Sequence, residues 1–136
     1  MKKSVINLFL ILLVVTVSQA VAAGTALDEA FSLYKGKENL TFSAERGKEM
    51  WNKKVVADEK PLERDCNSCH GKDFTKPGKH VKTGKKIEPM APSVNKERFT
   101  ELKKIEKWFK RNCKWTYGRE CTNQEKGDFL TFLSQQ

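Results

Sequence analysis

Cys66, Cys69 and His70 stand together as Cys66-Asn67-Ser68-Cys69-His70, and no other feature restricts the fold of this 136-residue chain so tightly. Two thiols about one helical turn apart can add to the two vinyl groups of a haem, and the imidazole that follows is then aimed at the iron. A structural zinc site would need two further ligands, which only His80, Cys113 and Cys121 could supply. A redox dithiol belongs in an alternating strand and helix pattern, which is absent here. The spacing therefore predicts one haem c, covalently attached through Cys66 and Cys69, with His70 as its proximal iron ligand.

The first residues agree with that chemistry. Lys2 and Lys3 precede a nearly continuous apolar run from Val5 to Val17, and Ala20, Ala22 and Ala23 suit signal peptidase. The run is shorter than the roughly 20 residues of a spanning helix. We expect a signal peptide over residues 1–23, a single haem domain over residues 24–136, a periplasmic location and no stable membrane insertion after cleavage. Export also fits the haem motif, because bacterial haem attachment takes place outside the cytoplasm.

The chain is basic, with 26 Lys and Arg against 17 Asp and Glu. No motif interleaving aromatic and basic residues points to nucleic acid. Lys72, Lys76, Lys79, Lys82, Lys85 and Lys86 crowd the segment after the haem motif. There they either steer an acidic redox partner toward the haem edge or form a solvated loop.

Helical signals dominate the remainder. Thr25 to Tyr34 reads as a short helix stopped by Gly36, with Leu27, Phe31 and Tyr34 on one side. No haem contact can be assigned to this helix, so truncation is expected to be tolerated. Ser43 caps a second helix in which Ala44, Gly47, Trp51 and Val55 recur. A third spans about Phe99 to Cys113, with Leu102, Ile105, Trp108 and Phe109 on its apolar face. Thr122 and Glu125 form a capping box ahead of a last helix that turns Phe129, Leu130, Phe132 and Leu133 inward. No strand pattern competes, and residues 71–94, rich in Gly, Pro and Lys, read as irregular loop.

This order is similar to the class I cytochrome c fold, an all-α arrangement of helices and long loops around one haem. In that fold the first and last main helices cross closely, and Gly47 and Gly127 are the candidates for the crossing, flanked by Trp51 and Phe129.

The distal iron ligand decides the function. A strong sixth ligand suits electron transfer, and a weak one leaves room for a small molecule. From residue type alone Met90 leads, followed by His80, while Asn95 reads first as a helix cap. Arg98, Arg111 and Lys107 are expected on solvated helix faces.

A closer resemblance changes that order. The run from His80 through Pro89-Met90-Ala91-Pro92-Ser93-Val94-Asn95, then Glu97-Arg98-Phe99-Thr100, Glu106-Lys107-Trp108-Phe109-Lys110-Arg111-Asn112-Cys113 and Gly118-Arg119-Glu120-Cys121-Thr122, resembles the sphaeroides haem protein family. The resemblance implies a small monohaem cytochrome with asparagine as sixth ligand, which falls on Asn95. It also implies binding of oxygen and nitric oxide and acceptance of electrons from a dihaem cytochrome c. A carboxamide oxygen is a hard donor that favours ferric over ferrous iron, so Asn95 is expected to leave on reduction. Met90 then becomes a packing residue held between prolines.

Cys113 and Cys121 remain as an even pair in an oxidising compartment, and a disulfide is expected. Family members carry one in this region, and Trp115 or Tyr117 inside the loop is a candidate for shaping the ligand pocket. Two function classes stay open. One is a ligand-binding haem protein, with oxidase or reductase activity toward oxygen or nitrogen oxides as its enzymatic form. The other is an electron carrier with Met90 or His80 on the iron. Nothing in the sequence requires more than a monomer.

Overall fold

The computed structural model describes residues 25–56 and 63–136. The signal peptide expected over residues 1–23 lies outside them. Five helices carry the fold: α1 (Ala26–Lys35), α2 (Ala44–Asn52), α3 (Asn67–His70), α4 (Leu102–Tyr117) and α5 (Asn123–Leu133). Among the described residues, none of these helices is long and apolar enough to cross a membrane.

The expected capping box at Thr122 forms, and a second one opens α1. Thr25 accepts from the Asp28 amide while the Asp28 carboxylate takes the Thr25 amide, and Thr122 and Glu125 repeat the exchange at α5. Each pairing satisfies amides that the first helical turn would leave open. Ser43 caps α2 by accepting from the Arg46 amide.

Helix α2 crosses α5 at Gly47. A Cβ there would fall 2.7 Å from the Asp128 carbonyl carbon and 2.8 Å from the Phe132 Cβ, so only glycine permits this approach. The crossing is locked by Asp128, which is 2 % exposed. It accepts from the Ser43 amide (2.7 Å), Arg46 Nε (2.8 Å) and Nη2 (2.9 Å), and Gln124 Nε2 (3.0 Å). Gly127 has a different partner from the one expected. Its Cβ would enter the Phe42 ring, so it makes room for the Phe31–Phe42 stack (5.7 Å) rather than for α2.

Helix α1 is part of the core, which overturns the expectation that it is dispensable. Ala30 and Tyr34 are buried in a cluster with Ile105 and Leu130. The Tyr34 hydroxyl donates to Glu106 on α4, and Glu106 also receives Lys126 of α5 at 3.2 Å. One tyrosine thus ties three helices together.

Three boundaries differ from the sequence reading. Helix α2 ends at Asn52, and Val55 enters a two-residue strand, β1 (Val55–Val56), paired antiparallel with β2 (Glu63–Arg64). A second hairpin joins β3 (Gly78–Lys79) to β4 (Lys86–Ile87) inside the expected loop. Strands this short have no alternation to detect. Helix α4 starts after Phe99, whose φ of 60° is incompatible with a right-handed helix. It then runs on to Tyr117, where Gly118 at φ 70° closes it in the left-handed conformation. The described residues otherwise keep the expected arrangement of helices joined by long loops.

Candidate haem site

Asp65 sets up the motif. Its Oδ1 accepts from the Ser68 amide (2.6 Å) and hydroxyl (2.7 Å), nucleating α3 one residue before Cys66. Asn67, inside the motif, faces the core: its Oδ1 accepts from Trp51 Nε1 at 2.8 Å, and its Nδ2 donates to Asn52. Trp51, 4 % exposed, lies 5.3 Å from the His70 ring and 5.2 Å from Phe74. The motif is therefore anchored to α2 and, through it, to the α2–α5 crossing.

Beside it opens a cavity of about 660 Å³, within the range of roughly 300–1,000 Å³ usual for small-molecule and cofactor sites. Cys66, Cys69 and His70 line it together with Trp51, Met90 and Phe129. Neither motif cysteine takes part in a disulfide, so both are available for thioether bonds. Burial, and then the charge of Arg98, lower His70 to about 4, so its imidazole is neutral and able to ligate. Its Nδ1 is buried without a hydrogen-bond partner among the described residues. Two thiols and a neutral imidazole at one wall of an aromatic-lined cavity fit a covalently attached haem. Zinc is less well served, because Cys113 and Cys121 are joined to each other.

The distal candidates are spread along one loop. Met90 is buried and lines the cavity. His80 lines it too, although its Nδ1 accepts from the Thr83 amide at 3.2 Å and so closes the hairpin turn. Asn95 is half-buried and does not line the cavity. Its Nδ2 donates to the Pro89 carbonyl (3.0 Å) and its Oδ1 accepts from the Glu97 amide (3.2 Å).

Arg98 does not lie on the solvated helix face expected for it. It precedes α4, is half-buried and lines the cavity. Its Nε donates to the Pro89 carbonyl at 2.7 Å and its Nη2 to the Glu88 carbonyl. The left-handed Phe99 that follows packs its ring into both hydrophobic clusters and turns the chain into α4. No local pattern marks an arginine that binds backbone carbonyls nine and ten residues earlier.

The C-terminal end of α4 contributes another wall. Cys113 and Cys121 form the expected disulfide, with Cα atoms 5.6 Å apart, and Cys113, Trp115 and Tyr117 all line the cavity. The Tyr117 hydroxyl donates to the Met50 carbonyl at 2.7 Å. Arg64 stacks over Trp115 (5.0 Å) and donates to its carbonyl, an arrangement the sequence did not suggest. Of the lysines after the motif, Lys85 and Lys86 reach the cavity rim and the others stand exposed.

Residues 37–133 match a domain family described only as a domain of unknown function, DUF1924. The chain is 38% identical over 128 residues to cytochrome c-type protein SHP of Cereibacter sphaeroides, covering 94% of this chain and 98% of that protein. Cytochrome c'' of Methylophilus methylotrophus is 41% identical over 71 residues, 52% of this chain and 49% of that one. Among solved structures, oxidised SHP, described as an oxygen-binding cytochrome c, superposes with a TM-score of 0.72 at 35% identity, covering 84% of this chain and all of its own. Oxidised cytochrome c'' gives 0.70 at 30% identity, over 82% of this chain and 94% of its own.

Proposed function

Because the chain belongs to the sphaeroides haem protein family of c-type cytochromes, we propose that it binds a small diatomic ligand, oxygen or nitric oxide, at a distal position that Asn95 vacates on reduction. Its cofactor is haem c, which supplies a redox-active iron with one position open to exchange. The observation that carries the reading is likeness over nearly the whole chain to a protein described as an oxygen-binding cytochrome c.

Cys66 and Cys69 would hold the haem by thioether bonds, and His70, kept neutral by burial, would ligate from the proximal side. Trp51, Phe129 and Met90 exclude water from the cavity walls. Asn95 offers a hard, neutral oxygen suited to the oxidised state. The loop that carries it is short of regular structure, so the side chain can exchange between positions without unfolding a helix. Electrons come from another cytochrome, a dihaem cytochrome c or a similar donor, guided to the rim by Lys85, Lys86 and their exposed neighbours. The protein works as a monomer in the periplasm.

One observation favours a second reading. Met90 is buried and lines the cavity, and methionine on the iron would make the protein a simple electron carrier.

Optical spectra of the oxidised and reduced holoprotein, with and without carbon monoxide, separate the two. Low-spin ferric and high-spin ferrous forms, the latter taking up carbon monoxide, support ligand binding. A ferrous form that stays low-spin and ignores carbon monoxide supports Met90.

A further inference from the structure

Arg98 and Asn95 meet on one atom. The Pro89 carbonyl oxygen, with two lone pairs, accepts from Arg98 Nε at 2.7 Å and from Asn95 Nδ2 at 3.0 Å. Arg98 also donates to the Glu88 carbonyl, so its planar fork fixes two successive peptide groups of the loop. Among the described residues, the hydrogen-bond partners of its side chain are these backbone carbonyls, and it forms no ion pair there. A half-buried guanidinium used in this way orients main chain.

The other end of the Asn95 amide is equally engaged, because Oδ1 accepts from the Glu97 amide at 3.2 Å. That oxygen is the atom Asn95 would present to the iron, and in the structure the Glu97 amide holds it while the side chain stays outside the cavity lining. A carboxamide leaving the iron must find partners for both its oxygen and its NH2, since a buried unpaired polar group costs about 1–3 kcal/mol.

We propose that the Pro89 carbonyl and the Glu97 amide form a built resting place for Asn95 off the iron, and that Arg98 is the positioning residue that keeps its acceptor in place. This rests on Asn95 being the distal ligand. Arg98 then sets how readily the distal position opens. The strained backbone at Phe99 belongs to the same device: its partly buried ring packs against both hydrophobic clusters, and its φ of 60° lies directly after Arg98.

The test is imidazole binding to the ferric holoprotein. Imidazole is neutral and must displace Asn95, so its apparent affinity is scaled by the fraction of molecules with Asn95 off the iron. Arg98→Gln is expected to weaken imidazole binding about fivefold, the worth of one neutral hydrogen bond. Arg98→Lys, which keeps the charge but loses the fork, should weaken it similarly. In an Asn95→Ala background nothing has to be parked, and adding Arg98→Gln should leave the affinity unchanged.

An equal loss in both backgrounds overturns the proposal, as does wild-type affinity in Arg98→Gln. Arg98→Lys that binds like wild type while Arg98→Gln is weakened overturns it in favour of a charge effect. The ferric spectrum of Asn95→Ala checks the underlying assignment separately: an unchanged low-spin form removes Asn95 from the iron, and the resting place with it.

Discussion

Gly47 on α2 lies so close to the Asp128 backbone on α5 that a methyl group cannot enter between them. The motif is hung from this crossing through Trp51 and Asn67, so the crossing sets the position of the haem wall.

Gly47→Ala is therefore expected to destabilise the holoprotein. Overpacking against backbone costs about 1–3 kcal/mol or more, and neither helix can yield without moving Phe132, which belongs to the core around Trp51. Thermal unfolding followed at the haem absorbance measures it. Gly127→Ala is expected to act elsewhere, by displacing Phe42 and loosening α1.

Gly78→Ala tests the wall itself. A Cβ at Gly78 would lie 2.9 Å from the His70 Cα and collide with the Cys69 carbonyl. The expected result is a lower yield of haem-loaded protein and a shifted Soret band. A normal yield with an unshifted spectrum would show that the hairpin gives way instead of the motif.

The glycines also mark what the sequence could reveal. Glycine inside an apolar helical pattern signals close approach, but not what approaches, and hence Gly47 was placed correctly and Gly127 was given the wrong neighbour. Thr122 with Glu125 was legible because capping chemistry is local, whereas Thr25 reads in the sequence as part of its helix and proves to be the cap that Asp28 completes. Phe99 was not legible: its left-handed backbone is imposed by tertiary packing, and so the start of α4 was set three residues early. That Cys66, Cys69 and His70 share one cavity wall was legible from Cys66-Asn67-Ser68-Cys69-His70, because the three lie within one helical turn. The Arg98 fork joins residues nine and ten positions apart through main-chain atoms, which carry no residue-specific signal.

Cys113→Ser with Cys121→Ser is expected to cost roughly 2–3 kcal/mol, the chain-entropy value for so short a loop. Cys113 lines the cavity and the bridge closes the segment that carries Trp115 and Tyr117. Denaturant unfolding gives the loss. A change in the carbon monoxide association rate of the ferrous protein would show that the loop also shapes the pocket.

The start of α5 should titrate. A hydrogen bond from Arg119, and then those from Thr122, hold the Glu125 carboxyl below its ordinary value of 4.5. A depressed carboxyl stabilises the fold above the unfolded value, and the contribution is lost as the pH falls through the folded value. Melting temperatures measured downward from pH 5 should thus fall less steeply in Glu125→Gln than in the wild type. Parallel slopes would mean that the cap contributes no pH dependence.

The most direct measurement is the ferric spin state of Asn95→Ala beside Met90→Leu, read by electron paramagnetic resonance on the purified holoproteins. If Asn95 is the displaceable ligand, Asn95→Ala is high-spin and Met90→Leu keeps the low-spin signal of the wild type. A low-spin Asn95→Ala together with a high-spin Met90→Leu would contradict the account and make the protein an electron carrier.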